Sequence, residues 1–250
     1  MSSGVSEGEL EEQADAYLEI DSDQPLSSQL IASVEELCDR AETAAGTLVV
    51  LVRLLPGAAG ADAAPSGPGD VPIHLVNKWE RALRRLERLS AVTVAVAEGH
   101  CGGPAVEVLL SCDYRVGGTD LRLRLPFAAG EPWPGMLVHR LANQVGVAES
   151  RRLVLFGGEM SAERASGIGL VDEIADDVAG AVVAWITRVR GFAGTGHAIR
   201  RGLLLNAAST SYEEALDSHL AACDRALRGA DGSVDTVSVG APGGGEQPHP

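Results

Sequence analysis

The stretch VTVAVAEGHCGGPAVEVLLSCD at residues 92–113 decides the fold of this chain. At its start valines alternate with smaller residues, which predicts a half-buried β-strand, and Gly99, Gly102 and Gly103 then interrupt the pattern. Residues 105–110 predict a helix. The first N–H groups of such a helix have no partner within it and point out of the turn, at the positive end of the helix dipole. This arrangement favours binding of an anion or a developing oxyanion.

A turn of this kind occurs in two different chemical settings. As G-x-C-x-G, residues 99–103 resemble a nucleophile elbow with Cys101 in the place of the usual serine. A cysteine hydrolase also needs a histidine further along the chain, and His139, His197 and His219 are available. The alternative is that Cys101 is a small buried residue without a chemical role.

Together with its C-terminal flank, the same stretch resembles the enoyl-CoA hydratase/isomerase (crotonase) superfamily. That family has a strand, N-G-x-x-x-G-G-G, x-E-L and a C-D pair that ends the helix. The residues that fall on this pattern without a gap are Gly99, Gly102, Gly103, Glu107, Cys112 and Asp113. A second segment, FGGEMSAERASGIGLVDE at residues 156–173, is similar to the family signature T-G-x-x-x-x-A-x-x-A-x-x-x-G-L-V-D. The resemblance implies an α/β fold, a crotonase-like spiral of β-β-α repeats with a C-terminal helical region.

Composition limits the class of protein and its partners. With 250 residues, of which 45% are hydrophobic and 22% charged, the chain is long enough for one large domain with its own core. A net charge of −15 argues against nucleic acid, whose phosphates need clustered Lys and Arg. The four cysteines lack C-x-x-C spacing, so no metal is expected. Without a signal-peptide pattern or an apolar run of roughly twenty residues, we expect a cytoplasmic protein with no membrane contact.

Sequence patterns divide the chain into four segments. Residues 1–15 are acidic and predict a disordered leader, 16–174 the spiral core, 175–228 the C-terminal helical region, and 229–250 a Gly/Pro-rich tail. The resemblance implies that the helical region makes oligomers, usually trimers. Predicted strands lie at residues 16–20, 47–55 and 121–125, and predicted helices begin at Pro25 and at residues 75, 177, 195 and 211.

The resemblance also implies a thioester-binding site. A crotonase holds the carbonyl of an acyl-CoA thioester between two backbone N–H donors. One donor comes from an A-G-x-D element, which GAAGAD at residues 57–62 resembles, so Ala61 is assigned to this loop. The other falls at residue 104, but Pro104 has no N–H, and Gly103 or Ala105 would have to replace it.

One or two carboxylates move protons in this family. Glu107 matches the first hydratase carboxylate, and the alternative is a helix-face glutamate that caps the turn. The second would fall at Phe127, which carries neither an acid nor a base, and Glu131 is the candidate to replace it. His100 lies in the turn, either as a general base or packed beside the adjacent strand.

The predicted helix at residues 75–90 has basic outer faces. Lys78, Arg81 and Arg85 are candidates to bind the phosphates of coenzyme A. The alternative is an exposed helix on which Glu80 and Glu87 partly balance the arginines.

Residues 76–86, with the retained scaffold and lost acid/base groups, resemble the DpgB subgroup of the superfamily. This subgroup serves the 3,5-dihydroxyphenylglycine pathway of glycopeptide-antibiotic producers. There a type III polyketide synthase builds a chain from malonyl-CoA, and crotonase homologues assist its dehydration and aromatisation to 3,5-dihydroxyphenylacetyl-CoA. The implied substrate is a polyketide-CoA, with no cofactor, and the implied partners are the chain's own copies, a related crotonase or the synthase. The alternative is a catalytically inactive partner that activates the synthase.

Overall fold

A computed structural model describes residues 7–44, 49–58, 68, 70–128, 130–191 and 196–231. The strands are β1 (Ala16–Asp21), β2 (Val49–Leu55), β3 (Val92–Ala97), β4 (His100–Cys101), β5 (Tyr114–Gly118), β6 (Arg122–Arg124), β7 (Phe127–Ala128), β8 (Glu131–Pro132), β9 (Glu159–Ser161) and β10 (Glu173–Ala175). The helices are α1 (Glu7–Gln13), α2 (Ser28–Thr43), α3 (Ile73–Leu86), α4 (Gly103–Leu109), α5 (Leu137–Phe156), α6 (Ala162–Gly167), α7 (Val178–Arg190), α8 (Gly196–Ala207) and α9 (Tyr212–Asp231). The predicted α/β class is confirmed.

A five-stranded parallel sheet, in the order β1-β2-β3-β5-β10, forms the centre of the fold. All six residues of β3 are buried, because helices cover both faces of the sheet. Since side chains alternate along a strand, Val94 and Val96 face the cluster that contains α7, whereas Ala95 and Ala97 face α2, α3 and α4. The small residues of β3 therefore lie on the side of the glycine turn and its helix.

The N-terminal leader differs from its prediction. Residues 7–13 form α1, and Leu10 is only 4% exposed, in the same apolar cluster as α7. The prediction of disorder is wrong for this part because one buried leucine anchors an otherwise acidic helix. Residues 1–6 of the leader lie outside the described residues.

The C-terminal boundaries also shift. The chain divides into two compact units, Met1–Ala198 and Ile199–Pro250, whereas the predicted core ended at residue 174. Helix α7 belongs to the first unit because Val182, Ile186 and Val189 pack against β3 and its neighbours. The second unit contains α9, which extends to Asp231, past the predicted start of the tail at residue 229. Residues 232–250 lie outside the described part of the chain.

Helix α5 was not predicted. Val147, Leu155 and Phe156 on this helix are 61% to 79% exposed, so its apolar residues do not form the single buried stripe that periodicity detects. Gly146, with φ 80°, interrupts the helical backbone. Among the helices that the structure describes, none is long and apolar enough to cross a membrane.

Candidate active site

The glycine turn joins the central sheet to the loop that follows β2. Gly99 has φ 57°, and a β-carbon there would lie 2.9 Å from Cβ of Pro56, so this position needs glycine for both its conformation and its contact. The N–H of Gly57 donates to the carbonyl oxygen of His100 at 2.7 Å. The start of the predicted A-G-x-D loop therefore lies against the turn. Ala61 itself lies outside the described residues.

Helix α4 begins at Gly103, which has φ 53°, after the extended residue Gly102. Pro104 occupies the first turn, where proline is tolerated because the first N–H groups of a helix have no partner within it. Gly103 and Pro104, the residues that the resemblance assigns to the thioester carbonyl, thus form the start of α4. Pro104 contributes an apolar wall there and no hydrogen-bond donor, which leaves Gly103 and Ala105 as the neighbouring N–H groups.

Glu107 lies one helical turn further along α4 and is 4% exposed. Its Oε2 accepts a hydrogen bond of 2.7 Å from Nε1 of Trp79 on α3. Its Oε1 is buried and has no hydrogen-bond partner among the described residues. The pKa of Glu107 is raised to about 7, chiefly by burial and in smaller part by the charge of Glu80, whereas the Trp79 bond and the charge of Arg140 act to lower it.

A small cavity opens onto Glu107. The residues that line it are Leu26, Pro68, Val76, Trp79, Pro104, Glu107, Pro126 and Trp133. Its volume of about 10 Å³ is close to the room that one water molecule needs. A β-carbon on Gly135 would lie 3.2 Å from Oε1 of Glu107 and would overlap the indole of Trp133, so glycine lets this loop approach the carboxyl group. The cavity is therefore lined mainly by apolar side chains, and Glu107 is the one acidic group among its described lining residues.

The second carboxylate is not brought to this cavity. Phe127 packs against Gly157, where a β-carbon would overlap its ring. Glu131 lies on the β7–β8 hairpin, is exposed, and is not among the residues that line the cavity. The expectation that Glu131 reaches the site is not met, because the hairpin carries Trp133 towards Glu107 while Glu131 faces solvent.

A buried ion-pair cluster adjoins the site and was missed by the sequence analysis. Arg140 of α5, 7% exposed, donates from Nε to Glu87 at 2.6 Å and from an Nη to Glu80 at 2.9 Å. These contacts join α5 to α3, the helix that carries Trp79. Sequence alone paired Glu80 and Glu87 with arginines of their own helix, and it gave no signal for Arg140 because α5 itself was not predicted.

The basic candidates on α3 separate into two groups. Lys78 and Arg81 line an open groove of about 320 Å³ between α2 and α3, together with Ser28, Ile31, Glu35 and Leu75. Arg85 instead makes hydrogen-bonded ion pairs with Asp39 at 2.6 Å and Glu42 at 2.5 Å. These pairs raise the pKa of Arg85 and occupy its guanidinium. Of the three basic candidates, Lys78 and Arg81 are therefore the two that line the groove.

The cysteine-hydrolase alternative is not supported by the geometry. Cys101 lies in β4 and is 1% exposed, and burial raises the pKa of its thiol to about 12, so it stays protonated. The neighbouring His100 directs Nδ1 towards Glu159 at 3.4 Å. Further along the chain, His139 contacts Asn143, and His197 lies 3.4 Å from Asp113. Cys101 is a small core residue, and His100 packs beside strand β6.

Comparison with known proteins agrees with this geometry. A sequence model of the family described as Enoyl-CoA hydratase/isomerase matches residues 58–225. An enoyl-CoA-hydratase of Amycolatopsis orientalis is 42% identical over 213 residues, which cover 84% of this chain and 95% of that protein.

Solved structures show the same fold at low sequence identity. An enoyl-CoA hydratase/isomerase from Marinobacter aquaeolei has a TM-score of 0.72 at 20% identity, over 86% of this chain and 90% of that chain. An enoyl-CoA hydratase from Mycobacterium smegmatis has a TM-score of 0.69 at 15% identity, over 88% and 93% of the two chains. The glycine turn, the carboxyl group behind it, the family match and the relative in Amycolatopsis lead to one assignment: this chain belongs to the enoyl-CoA hydratase/isomerase (crotonase) superfamily.

Proposed function

We propose that this chain is a crotonase-fold dehydratase that assists dehydration and aromatisation of a polyketide-CoA to 3,5-dihydroxyphenylacetyl-CoA. The observation that carries the proposal is the position of Glu107, the one titratable group among the described residues that line the cavity behind the glycine turn. Its pKa of about 7 lets it both take and give a proton near neutral pH.

A single carboxyl group is sufficient for loss of water. The substrate of this step is the β-hydroxy thioester that forms when the poly-β-keto chain closes a ring by aldol addition. In its carboxylate form, Glu107 removes an α-proton of this thioester, and the electron pair of that C–H bond forms an enolate. Glu107 then delivers the same proton to the β-hydroxyl group, the C–O bond breaks, and water leaves. The substrate loses one water molecule, and Glu107 returns to its carboxylate form.

Enolate charge at the thioester oxygen needs hydrogen-bond donors. We assign this task to the N–H groups of Gly103 or Ala105, since Pro104 has none, and to the loop that contains Ala61, which begins beside the turn at Gly57. Loss of one such donor typically lowers the rate by about a hundred- to a thousandfold. A ring that becomes aromatic on losing water tolerates this loss better than a simple enoyl-CoA, because aromatisation makes the step favourable.

The groove at Lys78 and Arg81 supports a place for the CoA carrier, because these two cationic side chains line it together with the apolar residues Ile31 and Leu75. Helix α9 supports assembly with other copies or a related crotonase. Its exposed large apolar residues are Tyr212, Leu216, Leu220 and Leu227, at steps of four, four and seven residues, which places them along one side of the helix. A type III polyketide synthase is the partner that supplies the substrate in this proposal.

Reconstitution tests the proposal. Malonyl-CoA and a type III synthase that makes the poly-β-keto chain are incubated with and without this protein, and the aromatic product is compared with shunt lactones. We expect the wild type and Glu131→Gln to raise the aromatic fraction, and Glu107→Gln to lose most of this effect. Crotonyl-CoA should be hydrated very slowly by the wild type. Equal product ratios with and without the protein would reject the proposed function.

The absence of an N–H at residue 104 favours one alternative, an inactive partner that activates the synthase. Such a partner acts through its surface, so Glu107→Gln would raise the aromatic fraction as much as the wild type does. The same reconstitution therefore separates the two functions.

A further inference from the structure

The two oxygens of Glu107 lie in different surroundings. Trp79, which is 1% exposed, donates from Nε1 to Oε2 at 2.7 Å. An indole N–H donates only and does not titrate, so Oε2 keeps a lone pair directed at Trp79 in either protonation state of Glu107. The carbonyl oxygen of a protonated carboxyl group is a better acceptor than its hydroxyl oxygen, so this bond favours Oε1 as the oxygen that carries the proton.

Oε1 differs from Oε2 in having no donor directed at it among the described residues. It is buried without a hydrogen-bond partner in the described part of the chain, and it faces Gly135 beside the indole of Trp133. The cavity at this point holds about one oxygen-sized group, the size of a hydroxyl group that leaves as water.

The indole of Trp79 is held by the helix that carries it. Arg140 of α5 binds Glu80, the residue that follows Trp79, and Glu87 further along α3. Glu80 from α3 and Arg140 from α5 are also the charged groups whose fields act on Glu107. A shift of α3 would therefore change both the hydrogen bond and the charges around the carboxyl group.

We propose that Trp79 is a positioning residue that reserves Oε2 of Glu107 as a fixed acceptor and leaves Oε1 as the atom that carries the proton. The hydrogen bond from Trp79 to Glu107 is present in the structure whatever the reaction is, whereas its effect on catalysis rests on the proposed function.

The first test needs no activity. The chain has three tryptophans, so a ¹H–¹⁵N spectrum shows three indole signals, which Trp133→Phe and Trp185→Phe assign by elimination. We expect the Trp79 signal to shift with pH with a midpoint near 7, because its acceptor gains charge there. In Glu107→Gln that signal should remain and stop shifting, since an amide oxygen still accepts the bond. A Trp79 signal that is flat from pH 5 to 9 in the wild type, or that still titrates in Glu107→Gln, would overturn the proposal.

The second test measures water loss from the substrate. Trp79→Phe keeps a ring and removes the donor. We expect kcat to fall by roughly ten- to a hundredfold at little change in KM, and the rise of rate with pH to move to higher pH, because the lost bond lowered the pKa of Glu107. Trp185→Phe is the matched control, since Trp185 stacks on Tyr114 in the apolar cluster of α7. An unmoved pH profile would contradict the positioning role. A titrating indole in a protein without dehydratase activity would instead reject the proposed function alone.

Discussion

Glu107 on α4 and Glu87 at the α3–α5 contact are buried to similar degrees, with 4% and 9% exposed, but their partners differ. Glu87 accepts from the guanidinium of Arg140 at 2.6 Å and lies 3.3 Å from Arg84. Glu107 accepts from a neutral indole, so its charge has no such partner, and burial raises its pKa to about 7. At similar burial, the two carboxyl groups therefore differ in the charge of the group that donates to them: a guanidinium for Glu87 and a neutral indole for Glu107.

The largest effect on stability is expected at Arg140, whose guanidinium pairs with Glu80 and Glu87. Arg140→Met leaves the buried carboxylate of Glu87 and the half-buried carboxylate of Glu80 without their guanidinium, and it should lower the free energy of unfolding by about 3–5 kcal/mol. Urea denaturation measures this change. Arg151→Met, at an exposed position of the same helix, is the control and should change stability by less than about 0.5 kcal/mol. Equal effects of the two substitutions would show that the buried pairs do not stabilise the α3–α5 contact.

Substitution of Glu107, whose hydrogen-bond donor is the neutral indole of Trp79, should instead change the reaction rate. Glu107→Gln should lower the rate of water loss from the polyketide-CoA by roughly a hundredfold or more, because the amide neither accepts nor delivers the proton. Its unfolding midpoint in urea at pH 8 should not fall. Glu131→Gln, the same change at an exposed site, should leave the rate within about twofold. A Glu107→Gln variant as fast as the wild type would remove Glu107 from the chemistry.

Stability should depend on pH through the same group. The folded-state pKa of Glu107 is raised from 4.5 to about 7, so between these values the unfolded chain has lost a proton that the folded chain keeps. The stabilisation that the raised pKa of Glu107 contributes is therefore fully present below pH 4.5, and it is lost as the pH rises through 7. Relative to the wild type, Glu107→Gln should gain up to about 3 kcal/mol in free energy of unfolding between pH 4 and pH 8. Parallel pH profiles of the two proteins would contradict the raised pKa.

The smallest effect on stability is expected at Arg85, whose ion pairs are exposed to solvent. Arg85 binds Asp39 and Glu42 much as Arg140 binds its two glutamates, but the Arg85 side chain is 33% exposed and those carboxylates more so. Arg85→Met should therefore lower the free energy of unfolding by only about 0.5–1 kcal/mol. The difference should shrink further in 1 M salt, which screens exposed charges. A loss as large as that of Arg140→Met would show that solvent exposure does not separate the two clusters.

Local patterns made much of this fold predictable. The alternating valines of β3 and the leucine stripe of α3 produce periods that burial enforces, so both elements lie within a few residues of their predicted bounds. Gly99 and Gly103 were recognisable because their positive φ values restrict those positions to glycine. Glu107 followed from its distance to the turn.

The partners of Glu107 were not predictable in the same way. Trp79 is 28 residues away in sequence, and its place on the inner stripe of α3 is equally typical of a core residue. Arg140 lies on a helix whose apolar residues are partly exposed, so neither the helix nor its buried cation had a periodic signal. Contacts of this kind depend on how the helices pack, which a single sequence does not encode in any local pattern.

Lys78 is the only lysine in the chain, and it directly precedes Trp79 on α3. A lysine-specific protease therefore has one peptide bond to cut, in the helix that supports the acid group. A helical bond is cleaved only after the segment opens, so the cleavage rate at low protease concentration reports the equilibrium between closed and locally unfolded α3. The single lysine therefore allows the local unfolding of α3 to be measured without a label or a substitution.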